Sequence, residues 1–293
     1  MVELYSLCFR SIATIIGFCN HVAPGQALAH PGWAQSIDNK AMETENPGPK
    51  SKLKKPQGEA LWHWIWVVTF AIAFAWVEGS VVVYLREIYF DGSFHFPIFM
   101  EWEGGKFVMD KLTPIELGRE IATILMLVAV GCAAGKNPLQ KFCFFMIAFG
   151  IWDIFFYLWL WVMVRWPESL MTWDILFFIP LPWIGPVITP VLIALAMAAA
   201  GWLIIYYDEK GCVLSWCWYD WAIELGCGLL MIIAFCWDWK NIMRIPDGVL
   251  RNGIPNPFAW WLYAPAYLLS VIYFAVRLKQ MVSTNRDHPP AGD

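Results

Sequence analysis

Three charged residues interrupt an otherwise apolar stretch of the chain, "LTPIELGREIATILMLVAVG" at 112–131. Glu116 and Glu120 are four residues apart and Arg119 follows Glu116 by three, so a helix would present all three on one face. A charged side chain at the centre of a membrane helix costs roughly 2.5–3.5 kcal/mol. We therefore expect these side chains to pair with one another, face a cavity, bind a cation or carry a proton.

More acidic residues occur in other apolar stretches. Glu78 lies in "AWVEGSVVVYLR", Asp153 in "FGIWDIFFYLW", and Asp174 just ahead of a cluster of prolines. Asp220 and Glu224 form a further pair at i, i+4 spacing in "WYDWAIELG". Several acids on separate predicted helices indicate a shared polar patch, because unpaired charges facing lipid would be too costly to keep.

The acids of the predicted spans outnumber the bases. Arg119 is the one clearly embedded base, and its guanidinium can pair two carboxylates at once. The remaining acids are then protonated or coordinate a cation through oxygen. Tyr157 follows Asp153 by four residues, so we expect its hydroxyl to bind that carboxylate, and Gly150 allows a neighbouring helix to approach. The residues predicted to bind a ligand or relay protons are Glu78, Glu116, Arg119, Glu120, Asp153, Tyr157 and Asp174.

A purely structural role for these residues stays open. Embedded polar side chains can hold helices together through hydrogen bonds worth about 0.6 kcal/mol each. A lone acid near a helix end, such as Glu116, can also reach the headgroup region. The excess of acids over bases favours a functional role, since helix association alone does not require it.

The composition is that of a membrane protein. Of 293 residues, 59% are hydrophobic and 15% are charged, and 20 are tryptophans. The mean hydropathy is +0.52. Soluble domains carry about a quarter charged residues, so the lipid bilayer is the expected surrounding. The net charge of -4 argues against a nucleic-acid partner, because no basic face is available for phosphates.

The long apolar runs of the chain predict the fold class of an all-α polytopic membrane protein with about six transmembrane helices. Each run has roughly the 20 residues that a bilayer crossing needs. A Pro-rich segment precedes the fourth span, and we expect a half-helix or re-entrant piece over 170–179, a break at Pro180–Pro182 and a span from Trp183. An interfacial helix leading into the span is the alternative. The predicted spans are 61–85, 114–134, 142–165, 183–206, 213–237 and 258–277.

Basic connectors predict the orientation. Clusters such as "KSKLKK" at 50–55 and "GKNPLQK" at 135–141 favour a cytoplasmic position, which places both termini inside a cell membrane. Residues 1–60 are predicted to form a disordered or targeting extension, 61–280 the transmembrane domain and 281–293 a short polar tail. A cleaved signal in the first 30 residues is an alternative, but it would export the basic cluster.

Metal and cofactor chemistry lack their usual residues. The eight cysteines form no C-x-x-C pair, and no H-E-x-x-H, G-x-S-x-G or phosphate-binding glycine motif occurs. We therefore predict no metal site and no cofactor.

Three hypotheses on function remain. In the first, the network binds and moves a proton or a small cationic solute, and so few spans imply a homodimer. In the second, the protein is a membrane-integral enzyme that uses an acid pair on a lipid or isoprenoid substrate. In the third, it is a non-catalytic subunit whose polar patch binds a partner in a membrane complex.

Overall fold

The structure, a computed structural model, describes residues 58–89, 102–103, 106–107, 112–179, 181–239 and 258–287. Residues from Ile65 onward form one compact unit. Two short antiparallel hairpins accompany the helices, β1 (Trp102–Glu103) with β2 (Lys106–Phe107) and β3 (Trp173–Phe177) with β4 (Trp183–Pro186). The long helices are α1 (Gly58–Tyr89), α2 (Leu112–Ala134), α3 (Pro138–Val164), α4 (Ile188–Glu209), α5 (Trp218–Cys236) and α6 (Trp260–Asp287).

In the described part of the chain, six helices are long and apolar enough to cross a bilayer. The chain is thus an all-α, multi-pass integral membrane protein, which confirms the predicted fold class. The sixth helix differs most from its prediction. It continues to Asp287, ten residues past the predicted span end at 277, so part of the expected polar tail is helical.

The predicted half-helix over 170–179 is wrong, and so is the alternative of an interfacial helix. Residues 173–177, "WDILF", form strand β3 and pair with β4, with Trp173 opposite Pro186 and Asp174 opposite Gly185. Aromatic and β-branched side chains favour a strand, and nearby prolines oppose a helix. Pro180 lies outside the described residues.

Helix α4 begins at Ile188 rather than at Trp183. Pro190 is tolerated there because the first N–H groups of a helix have no intrahelical acceptor. The Thr189 hydroxyl donates to the Pro186 carbonyl oxygen at 2.6 Å, which closes the turn between β4 and α4. The hairpin and the fourth span are therefore directly joined.

Helices α3 and α4 pack with their backbones close together. A Cβ atom at Gly150 would lie 2.4 Å from the carbonyl oxygen of Ala194, and one at Gly201 would lie 2.7 Å from that of Cys143. Neither position has room for a side chain. The expectation that Gly150 allows close helix approach is confirmed, and the neighbour is α4.

The hairpin also packs against the last two helices. Phe235 of α5 stacks on Trp183 with ring centroids 5.9 Å apart, and it packs together with Phe258 and Tyr263. The Tyr263 hydroxyl donates to the Thr189 carbonyl oxygen at 2.7 Å. These contacts fix β3 and β4 between α4, α5 and α6.

The predicted N-terminal extension and its alternative, a cleaved signal, lie outside the described residues apart from 58–60, which belong to α1. Residues 288–293 of the predicted tail also lie outside them.

Candidate functional site

A cavity of about 280 Å³ lies between helices α1 to α5 and the β3–β4 hairpin. Its charged lining residues are Glu78, Arg119, Glu120 and Asp153. A mostly apolar cavity with a few placed polar groups has the usual make-up of a small-molecule site. Aromatic rings form much of the wall, among them Phe145, Phe149, Trp152, Phe156, Phe177 and Trp183.

Arg119 joins α1 to α2 at one side of the cavity. Its guanidinium forms an ion pair with Glu78 of α1, and its Nε donates to Glu116 Oε2 at 2.8 Å. The Thr123 hydroxyl donates to the second oxygen of Glu78 at 2.8 Å. Both oxygens of the buried Glu78 carboxylate are thereby satisfied, and the positive charge of Arg119 is shared by two acids.

Glu120 links α2 to the hairpin. Its two carboxylate oxygens lie 3.0 and 3.2 Å from the backbone nitrogen of Phe178, which donates to them. Phe178 directly follows β3, and Phe177 and Trp183 on either side of this bend line the cavity. The Glu120 carboxylate therefore holds the part of the hairpin that covers the cavity.

Asp153 lies in the middle of α3 and lines the cavity. It is 8% exposed, and its Oδ2 has no hydrogen-bond partner in the described part of the chain. The expected bond from Tyr157 is absent, because the Tyr157 hydroxyl donates to Asp174 instead, at 3.0 Å. Residues four apart share a helix face, but the tyrosine side chain is long enough to reach past its neighbour to the hairpin.

Asp174 lies on β3, outside the helices, and is buried beside Tyr157. Burial raises the pKa of Asp174 to about 6, although the Tyr157 hydroxyl and the charge of Arg86 both act to lower it. Arg86 is buried near the end of α1, so this cluster joins α1, α3 and the hairpin. Asp174 and Asp153 are close enough to repel each other when both are ionised.

We expect Asp174 to make the unfolding free energy fall as pH rises from about 4 to about 6. The folded state holds a proton on Asp174 up to pH near 6, whereas an unfolded aspartate loses it near 4. A difference of about 2 between the pKa values of the folded and unfolded states corresponds to about 3 kcal/mol. Asp174→Asn keeps an acceptor for Tyr157 but removes this titration. The free energy of unfolding would be measured in detergent at pH 4.5, 5.5 and 7. It should fall more steeply with pH in the wild type than in Asp174→Asn, and equal slopes would contradict the assignment.

The seven residues predicted from the sequence all lie in or beside this cavity. Five of them line it, Glu116 is bound to the lining residue Arg119, and Asp174 is bound to the lining residue Tyr157. No family model, curated protein or solved structure matches the chain. The cavity combines hydrogen-bonding acids with aromatic walls, and such a combination suits a cation or a proton-carrying group.

A second polar cluster joins α5 to α6 away from the cavity. Arg277 donates to both oxygens of Asp220, at 2.7 and 2.9 Å, and the Tyr273 hydroxyl donates to Asp220 at 2.5 Å. The backbone nitrogen of Cys217 also donates to Asp220, so this carboxylate caps α5. The expectation of a single embedded base is thus wrong, because Arg277 lies within the long sixth helix and Arg86 near the end of the first.

Glu224 lies one turn after Asp220. The Ser270 hydroxyl donates to its Oε2 at 2.5 Å. No group of three or more His, Cys, Asp or Glu side chains in the described ranges is arranged to hold a metal ion.

Proposed function

We propose that this protein moves a proton or a small cationic solute across a membrane and that the described cavity is the binding site. The observation that supports this most is Asp153, which lines the cavity and whose Oδ2 has no partner among the described residues. A buried carboxyl oxygen without a partner is costly unless the group carries a proton or meets a cation. Either event makes Asp153 the group that exchanges the transported charge.

The charge balance around the cavity supports the same proposal. Arg119 is engaged by Glu78 and Glu116, so its charge is already compensated. Within the described ranges, neither Glu120 nor Asp153 forms an ion pair. Two intramembrane acids are therefore left to exchange protons or cations, which helix association alone would not need.

In the proposed transport, Glu120 controls access of the solute to the cavity. Its bond to the Phe178 N–H is strongest when the carboxylate is charged, because charged acceptors bind more tightly than neutral ones. Protonation of Glu120 would weaken the bond that holds the hairpin over the cavity. With basic connectors on the cytoplasmic side, the hairpin faces the non-cytoplasmic side of a cell membrane and both termini lie inside. Two copies would form the working unit.

Asp153→Asn tests the proposal, since it keeps the shape of the side chain but can neither bind nor release a proton. The full chain would be reconstituted in vesicles containing a pH-sensitive dye, and proton flux would be followed under an imposed pH gradient. Uptake of labelled tetramethylammonium would be measured in the same vesicles. We expect the variant to reduce whichever of the two fluxes the wild type supports to the level of protein-free vesicles.

The matched control for this test is Glu209→Gln, which removes a carboxylate at the exposed end of α4. It should leave both fluxes unchanged. Equal folded yield of the variants would be checked by size-exclusion chromatography. Wild-type rates of both fluxes in Asp153→Asn would overturn the proposal.

The apolar wall of the cavity favours one alternative function, an enzyme acting on a lipid or isoprenoid substrate. Rings such as Phe149, Phe156 and Phe177 would accept a hydrocarbon chain, and Glu120 or Asp153 would act as general acid or base. Conversion of a lipid by the purified protein in mixed micelles, lost in Asp153→Asn, would favour this alternative over transport.

A further inference from the structure

Three polar atoms of the cavity-lining residues have no partner among the described residues. They are Oδ2 of Asp153 and the indole Nε1 atoms of Trp152 and Trp183. One is an acceptor and two are donors. Buried polar groups in folded proteins are nearly always hydrogen-bonded, so unpaired groups around one cavity point to a ligand that completes them.

The two tryptophans belong to one continuous series of rings. Phe177 packs against both, with its ring centroid 6.4 Å from that of Trp152 and 5.7 Å from that of Trp183. Phe149 continues the series beyond Trp152 at 5.5 Å, and Phe235 continues it beyond Trp183 at 5.9 Å. This wall would hold an apolar or aromatic body, and its ring faces would attract a nearby positive charge.

We infer that the cavity binds a small organic cation that joins an apolar body to a polar end with both an ammonium group and a hydroxyl or carbonyl oxygen. The ammonium group donates to Asp153, the oxygen accepts from the Trp152 and Trp183 indoles, and the body lies against the rings. This inference rests on the proposed function and names its substrate class.

The size of the cavity limits the ligand. A volume of about 280 Å³ is at the lower end of small-molecule sites, and a water molecule occupies about 30 Å³ of liquid. The space therefore accepts a ligand of roughly ten non-hydrogen atoms. An amino alcohol that carries one aromatic ring has this size.

Three probes of nearly equal size test the inference. Phenylethanolamine carries the ammonium and the hydroxyl, phenethylamine lacks the hydroxyl, and phenethyl alcohol lacks the ammonium. Binding to the purified full chain in detergent would be measured by isothermal titration calorimetry at pH 7. We expect phenylethanolamine to bind about tenfold more tightly than either of the others, because each of these leaves a buried group unpaired.

Variants of the protein test separately the contact of the ammonium group with Asp153 and the contact of the oxygen with the indoles. Asp153→Asn should weaken binding of both amines about tenfold or more and leave phenethyl alcohol unchanged. Trp183→Phe keeps a ring but removes the indole N–H, so it should lower the preference for phenylethanolamine over phenethylamine while leaving phenethylamine binding intact. Trp152→Phe is a second variant of the same kind. Trp218→Phe is the matched control, since Trp218 is 80% exposed and lies outside the cavity.

Equal affinities for the three probes, or no binding of any of them, would overturn the inference. So would an unchanged preference in both tryptophan variants. The result is separable from the test of the proposed function. Asp153-dependent proton flux without probe binding removes only the ligand class, whereas probe binding without flux of any probe or proton removes transport and leaves the ligand class standing.

Discussion

Arg277→Leu is expected to lower the free energy of unfolding by about 3 kcal/mol. Arg277 donates twice to Asp220, whose side chain is fully buried. Among the described residues, that carboxylate keeps the Tyr273 hydroxyl and the Cys217 N–H as donors when the guanidinium is removed. Removing one partner of a buried ion pair costs about 3–5 kcal/mol, because it leaves an uncompensated charge. Unfolding in mixed micelles at increasing denaturing detergent would measure the loss.

Two further variants test whether the loss of stability comes from the Arg277–Asp220 pair. Lys279→Leu makes a similar change at an exposed position two residues along α6 and should alter the stability by less than about 0.5 kcal/mol. Adding Asp220→Asn to Arg277→Leu should recover part of the loss, because asparagine still caps α5 and leaves no buried charge. An Arg277→Leu variant as stable as the Lys279→Leu variant would show that the pair contributes nothing.

Arg119→Leu is expected to cost about 3 kcal/mol as well, at the other polar cluster. The Glu78 side chain is 6% exposed, and without Arg119 its carboxylate keeps one bond within the described ranges, from Thr123. Glu116 would lose its partner too, but it is more exposed and can be hydrated. The same detergent titration would measure the effect, and folded yield after purification would report it independently.

Neutralising Glu78 checks that the loss comes from its charge. Glu78→Gln added to Arg119→Leu should restore a substantial part of the stability, since the amide needs no counter-ion. Lys136→Leu, at an exposed position after α2, is the matched control and should change little. Absence of any rescue by Glu78→Gln would contradict the assigned pair.

The grouping of acids around one cavity could be predicted, because the free-energy cost of lipid exposure and the helical spacing of the residues both indicate it. Glu116, Arg119 and Glu120 share a helix face by their spacing alone, and the cost of lipid exposure requires partners on other helices. Sequence spacing could not identify those partners. Glu78 binds Arg119 and Glu120 binds a backbone N–H of the hairpin, and both contacts depend on how the helices pack.

The two errors at the site have a common cause, which is the use of residues close in sequence as a guide to contacts in space. Tyr157 was expected to bind Asp153 on its own helix, yet it binds Asp174 on a strand that was predicted to be helical. The predicted sixth span ends at Arg277, because a bilayer crossing needs only about 20 residues, so this arginine is not expected inside the membrane. The helix that carries it runs to Asp287, which brings Arg277 to the first turn of α5.

The glycine contacts between α3 and α4 determine which parts of the protein can rearrange. At Gly150 and Gly201 the two backbones touch, so neither helix can slide or rotate against the other without steric overlap. Helices α3 and α4 therefore form a rigid frame, and Asp153 lies on α3. Under the proposed transport function, opening and closing of the cavity would come from the strands and from the helices outside the frame, so spin labels placed on α3 and α4 should keep a constant separation throughout a transport cycle.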